Sequence, residues 1–87
     1  MLIVEVALAR LRFDREDKGS LYARAQIADY WIVNIPARRL EIYREPVPDA
    51  AAVFGWRYGQ ALTLGAEARV SPLAAPAAAI DVADLLP

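Results

Sequence analysis

The chain has 87 residues, a formal net charge of -1 and neither cysteine nor histidine. A chain this short buries only about 60 to 65 per cent of its unfolded surface, so it forms one domain, residues 1–87, around a single small core. The missing residue types exclude disulfides, thiolate nucleophiles, imidazole bases and the usual zinc ligands, leaving carboxylates, arginines, hydroxyls and one lysine for any chemistry.

The near-neutral charge provides no overall field for nucleic acid, although a local basic patch is compatible with it. The apolar windows are interrupted by Glu5, Arg10 or Asp29 and fall short of the roughly 18 continuous residues that a membrane span needs. MLIVEVALA lacks the basic leading segment of a signal peptide, so the expectation is a cytoplasmic protein without membrane contact.

Leu2 to Ala9 is apolar at every position but Glu5, the pattern of a strand covered on both faces. Alternation sends Ile3, Glu5 and Ala7 to one face and Leu2, Val4, Val6 and Leu8 to the other. A carboxylate facing a covering layer needs a partner, either a structural arginine such as Arg10 or Arg12, a lysine, or a metal ion. Arg10 to Phe13 reads as a loop and Asp14 as an N-cap, with Glu16 and Asp17 at the positive end of a helix from about Arg15 to Ala25. Gly19 and Ser20 weaken this helix, the glycine by about 1 kcal/mol relative to alanine.

The helical stripe Leu21, Tyr22 and Ala25 extends back to Lys18, the chain's only lysine, which therefore faces the sheet near the helix start. Lys18 is either a snorkelling residue paired with Asp14 at i-4 or a member of a site. Tyr30 to Ile35 is a second apolar strand, and strand, helix, strand predicts a right-handed parallel crossover that lets Glu5 and Lys18 share one space. After a turn at Pro36 to Arg38, the alternation from Arg39 to Glu45 predicts an antiparallel partner with Leu40 and Ile42 inward and Glu41 and Tyr43 on a half-exposed face.

Val53 to Tyr58 and Ala61 to Leu64 read as two short strands, with Gly55 as a bulge and Gly59 as a turn. Trp56 and Tyr58 are assigned to core or interface rather than to base stacking. Two prolines make Ser71 to Ala79 irregular, and Asp81 reads as the cap of a short terminal helix, Val82 to Leu86.

LIVEV, D-R-E-x-K, L-Y-A-R-A, D-Y-W-I-V, R-R-L-E-I-Y-R and P-x-x-x-I-D-V-A-D-L-L together resemble the C-terminal portion of the Uma-two family of restriction endonucleases, a branch of the PD-(D/E)XK nuclease superfamily. The resemblance runs through most of the chain in matching order. It implies an α/β (α+β) restriction-endonuclease-like mixed sheet with one flanking helix and a short C-terminal helix. It also implies magnesium-dependent hydrolysis of DNA. Glu5 matches the carboxylate of the E-x-K half-motif and would hold the metal. Lys18 matches the lysine that has moved from strand to helix, where it would position or activate water.

In this family a second metal-binding acid lies in an upstream P-D strand, which would fall before Met1. The small polar residues that commonly follow the E-V pair are replaced by Ala7, Leu8 and Ala9, and Asn34 stands where an acid is usual. Asp14 and Asp17 are assigned to helix capping rather than to the metal. On this reading the chain alone is inactive, and a catalytically inactive nuclease-fold remnant acting as an oligomerising or interaction module is the alternative. The strand at Leu2 to Ala9 would then keep an open apolar edge, which predicts a homo-oligomer by strand-edge pairing or docking of a separately encoded N-terminal half.

Overall fold

The computed structural model describes residues 1–87. Strand β1, Leu2–Ala7, leads into helix α1, residues 13–24, which is wound in wide π turns over Phe13–Lys18 and in α turns over Gly19–Arg24. Strands β2 (Asp29–Asn34), β3 (Arg39–Pro48) and β4 (Trp56–Leu64) follow. Two short strands, β5 (Arg69–Val70) and β6 (Ile80–Asp81), and a 3-10 turn at Val82–Leu85 close the chain. The main sheet has the order β1-β2-β3-β4, with β1 parallel to β2 and the other pairs antiparallel, and β5 and β6 form a separate two-stranded sheet. This is the mixed, restriction-endonuclease-like sheet with a parallel crossover that the resemblance implies.

Three layers result. β2 is buried throughout, because its alternate residues feed two cores. Trp31 and Val33 pack with Leu40, Ile42 and Val82 under the C-terminal segment, while Tyr30 and Ile32 pack with Ala7 under α1. Aromatic and β-branched side chains fit this doubly covered position. The irregular stretch after β5 is tied down by Asp29, whose carboxylate accepts from the Trp31 indole at 2.6 Å, the Arg44 guanidinium at 2.9 Å and the Leu73 backbone N–H at 2.9 Å.

The structure corrects several expectations. β1 is covered along its length only on its helix side: on the other face Leu2 packs against the core, but Val4 and Val6 are 44 and 65 % exposed, and Leu8 just beyond the strand is 72 % exposed. Asp14 is no cap: the helix begins before it, and no side chain caps the N-terminal end. The β3 face carrying Glu41 is half-exposed as expected, with Arg39 and Glu45 exposed, but α1 lies over its middle and leaves Glu41 only 3 % exposed. Gly59 lies within a single strand rather than at a turn. There, a side chain would press its Cβ to 3.2 Å from the Glu45 carbonyl across the pair. Gly55 sits in the β3–β4 turn with φ of +75, a left-handed conformation that glycine adopts without strain. Asp81 caps nothing with its side chain and pairs with Arg69 at 2.7 Å.

Candidate active site

Asp14, Lys18 and Tyr22 recur at four-residue intervals along α1 and form a stripe facing β1. The Tyr22 hydroxyl donates to Glu5 Oε1 at 2.9 Å, and Lys18 Nζ lies 3.4 Å from the same oxygen. Lys18 Nζ also stands 3.6 Å from Asp14 Oδ1. The structure thus brings the two sequence-identified residues, Glu5 and Lys18, into one space between strand and helix, with neither Arg10 nor Arg12 as the partner of Glu5. Arg10 instead stacks on Phe13 at 4.6 Å from the ring centre, and Arg12 pairs with Glu16 at 3.1 Å.

The electrostatics follow from this placement. Burial favours the neutral amine of Lys18, but the hydrogen bond to Glu5 and the charges of Glu5 and Asp14 outweigh it and raise its pKa. Lys18 is therefore a held cation rather than a proton acceptor. Burial and the Glu5 carboxylate both raise the Tyr22 hydroxyl, which remains a donor. Both contacts to Glu5 fall on Oε1, so Oε2 is left for another partner at a side chain that is 27 % exposed.

Sequence reasoning missed Glu41. Through Ile32, strand pairing puts Glu5 and Glu41 in one row across the sheet. Helix α1 sets a cation over each, Lys18 on Glu5 and Arg15 on Glu41. Arg15 Nε donates to Glu41 Oε1 at 2.7 Å and its NH2 group donates to Oε2. The Tyr43 hydroxyl adds a bond at 2.6 Å and Asn34 Nδ2 one at 3.1 Å. The acceptor capacity of Glu41 is taken up, so it anchors the helix and offers nothing to a ligand. The signal for it was available in the three-residue spacing of Arg15 and Lys18, which points two cations at the sheet.

Asp14 was set aside as a cap. It lies inside the π-wound turns, where its backbone carbonyl accepts from the Tyr30 hydroxyl at 3.0 Å and its buried carboxylate faces Lys18. No group of three or more His, Cys, Asp or Glu side chains comes together anywhere in the chain. That donor set does not suit zinc or calcium. Glu5, with its unengaged Oε2, is a hard oxygen donor of the kind magnesium takes, with waters as its other ligands.

The largest cleft, about 490 Å³ between α1 and the β3–β4 hairpin, is a different place, and neither Glu5 nor Lys18 lines it. Its two arginines are already neutralised, Arg15 by Glu41 and Arg57 by Asp49 at 3.2 Å, while Glu16 and Asp17 also line it. It therefore presents no net positive charge to an anion.

No helix is long and apolar enough to cross a membrane. No curated protein and no solved structure matches the chain. The model of the Uma2 (Uma-two) family, described as "Putative restriction endonuclease", matches residues 1–83. With that match across nearly its whole length, on a mixed sheet flanked by a helix, the chain belongs to the Uma2 family.

Proposed function

We propose that the Glu5–Lys18 pair is the working part of a magnesium-dependent DNA-cleaving site. The observation that carries this reading is the 3.4 Å approach of a helix lysine to a strand carboxylate at the edge of the sheet. In phosphodiester hydrolysis the oxygen of water bonds to phosphorus. The bond from phosphorus to the leaving sugar oxygen breaks, and that oxygen takes up a proton. Glu5 would hold magnesium through its unengaged Oε2, and the bound ion supplies Lewis-acid stabilisation of the charge developing on phosphate. Lys18, as an ammonium, orients the attacking water and balances charge on the phosphate oxygens. Tyr22 fixes the same oxygen of Glu5 by its hydroxyl.

Plasmid nicking in magnesium tests this with wild type, Lys18→Ala and Glu5→Ala. The expected result is a loss of about a hundredfold or more in each variant, the scale of removing one preorganised charge-stabilising group. Equal nicking by all three proteins removes the proposed site.

A second reading has its own observation. β1 is an edge strand with a single neighbour, and Val4 and Val6 are exposed on its uncovered face. This supports a role as a self-associating nuclease-fold module, in which a second copy pairs along β1, whether or not the site turns over DNA.

A further inference from the structure

We infer that two copies of this chain pair antiparallel along β1 in a register centred on Val4, so that the partner's Ile3 closes the open flank of each Glu5–Lys18 pair. The inference rests on the second reading above for the pairing itself, and on the backbone and the charge of β1 for the register.

The Ile35 N–H donates to the Ala7 carbonyl at 3.1 Å, so Ala7 turns its backbone groups towards β2, and alternation along the parallel pair does the same for Ile3 and Glu5. Leu2, Val4 and Val6 therefore hold their N–H and C=O groups out at the open edge. An added antiparallel strand makes its hydrogen-bonded pairs through these residues, and a twofold axis leaves few registers. Centred on Val4, Val4 bonds to the partner's Val4 and Leu2 to the partner's Val6, with the symmetry mate of that second pair. Centred on Glu5, Leu2 drops out and Val4 with the partner's Val6 remains. Centred on Ile3, Val6 drops out. Centred on Val6, the pairing runs past the end of the strand at Ala7. The Val4 register thus engages the whole outward row.

Charge favours the same register. Glu5 is the one charged side chain of β1, and a twofold axis through it would set it directly opposite the partner's Glu5, with Cα atoms about 4.5 Å apart. Like charges so placed destabilise a pair. In the Val4 register Glu5 instead faces the partner's Ile3, and the two carboxylates become diagonal neighbours about 7–8 Å apart. The Glu5 side chain is 27 % exposed and Ile3 is partly buried against the core under α1, so each covers part of what the other leaves open. On the opposite face Val4 and Val6 meet the partner's Val4 and Leu2, apolar against apolar. The edge therefore suits a second copy of this chain, whose strand has the same alternation and matches both faces at once. Excluding water from Glu5 strengthens its pairing with Lys18, and the two sites come to share one strip on the helix side of a continuous sheet.

The chain has no cysteine, so single introduced cysteines report the register. Val4→Cys and Val6→Cys lie on the exposed face of β1, and Val53→Cys, 61 % exposed in the β3–β4 turn, measures chance collision. Each is oxidised at micromolar concentration and read by non-reducing electrophoresis, with sedimentation velocity and circular dichroism of wild type and variants alongside. In the Val4 register the two Cα atoms at position 4 lie about 5.5 Å apart, within disulfide reach, whereas those at position 6 are offset by about 13 Å along the strands. The expected result is a covalent Val4→Cys dimer forming at least tenfold faster than the Val53→Cys dimer, with Val6→Cys no faster than Val53→Cys.

Fastest linkage in Val6→Cys, or in a mixture of Val4→Cys with Val6→Cys, overturns the register and leaves pairing along β1 standing. Self-association of wild type with no β1 cysteine linking faster than Val53→Cys overturns the inference by placing the contact elsewhere. A folded wild-type monomer without linkage in any variant defeats the inference together with the reading it rests on.

Discussion

Glu41 and Asn34 show how single residues adapt this chain to its own packing. Burial alone would raise the Glu41 carboxyl, but hydrogen bonds from Arg15, Tyr43 and Asn34 outweigh it and hold the group below its ordinary value of 4.5. A carboxyl held low in the fold takes up its proton less readily there than in the unfolded chain. The stability it contributes is therefore fully present above pH 4.5 and is lost as pH falls through the lowered folded value. Glu41→Gln should cost about 1–3 kcal/mol at neutral pH, the scale of a hydrogen bond to a charged group, and the cost should shrink in acid below the folded value. Urea unfolding of both proteins across that range checks it, and a gap that does not change with pH would exclude the ionic contribution. The same network suits an amide rather than an acid at Asn34. An aspartate there would set a second negative charge against Glu41 Oε2, where the amide instead donates at 3.1 Å.

Helix and hairpin divide in how much glycine they tolerate. At Gly19 the backbone is helical, and a Cβ would meet only Asp14 O at 3.7 Å and Tyr30 Cε2 at 3.9 Å, ordinary van der Waals contacts. At Gly59 it would meet the Glu45 carbonyl at 3.2 Å and Val47 Cγ1 at 3.4 Å, and Glu45 already carries a positive φ of 63. Gly19→Ala is therefore expected to stabilise by about 0.5–1 kcal/mol through helix propensity. Gly59→Ala should destabilise by about 1–3 kcal/mol through overpacking. Thermal melts of the two variants decide this, and a stabilised Gly59→Ala would refute the close approach. These elements also show what the chain discloses before folding. β1, α1, β2 and β3 were legible because each has its own periodicity, and helical phase together with strand alternation made Lys18 and Glu5 candidates for one shared space. The continuity of β4 through Gly59 was not, because a glycine required by a cross-strand neighbour looks the same in sequence as one required by a turn. The burial of Glu41 and the true place of Asp14 were likewise hidden. Alternation shows which residues share a face but not which face a helix covers, and an aspartate near a helix start satisfies the capping pattern wherever the helix begins.

At the scale of the whole molecule, the decisive dimension is thickness. The principal extents are 36 × 30 × 15 Å, and only 15 of 87 residues are buried, so the three layers form a slab with little interior. α1 and the C-terminal segment cover the two faces of β2 and β3, but the coverage stops at β1, where Val4, Val6 and Leu8 remain exposed on one face. The outer edge of that strand keeps unpaired backbone donors and acceptors beside the apolar patch, a combination that favours pairing with another strand. A second copy adding its own β1 would pair those backbone groups in one symmetric contact and set its own Val4 and Val6 beside these on the same face. It would also lie next to Glu5, on whose strand the pairing occurs. Val6→Lys places a charge at the centre of the uncovered face while leaving Ile3, Glu5 and Ala7 pointing at α1, so it should turn a self-associating wild type into a folded monomer. Sedimentation velocity with circular dichroism at micromolar concentration reads both properties. A wild type that already sediments as a folded monomer would show that β1 is stable as an open edge, and self-association unchanged by Val6→Lys would move the contact to another surface.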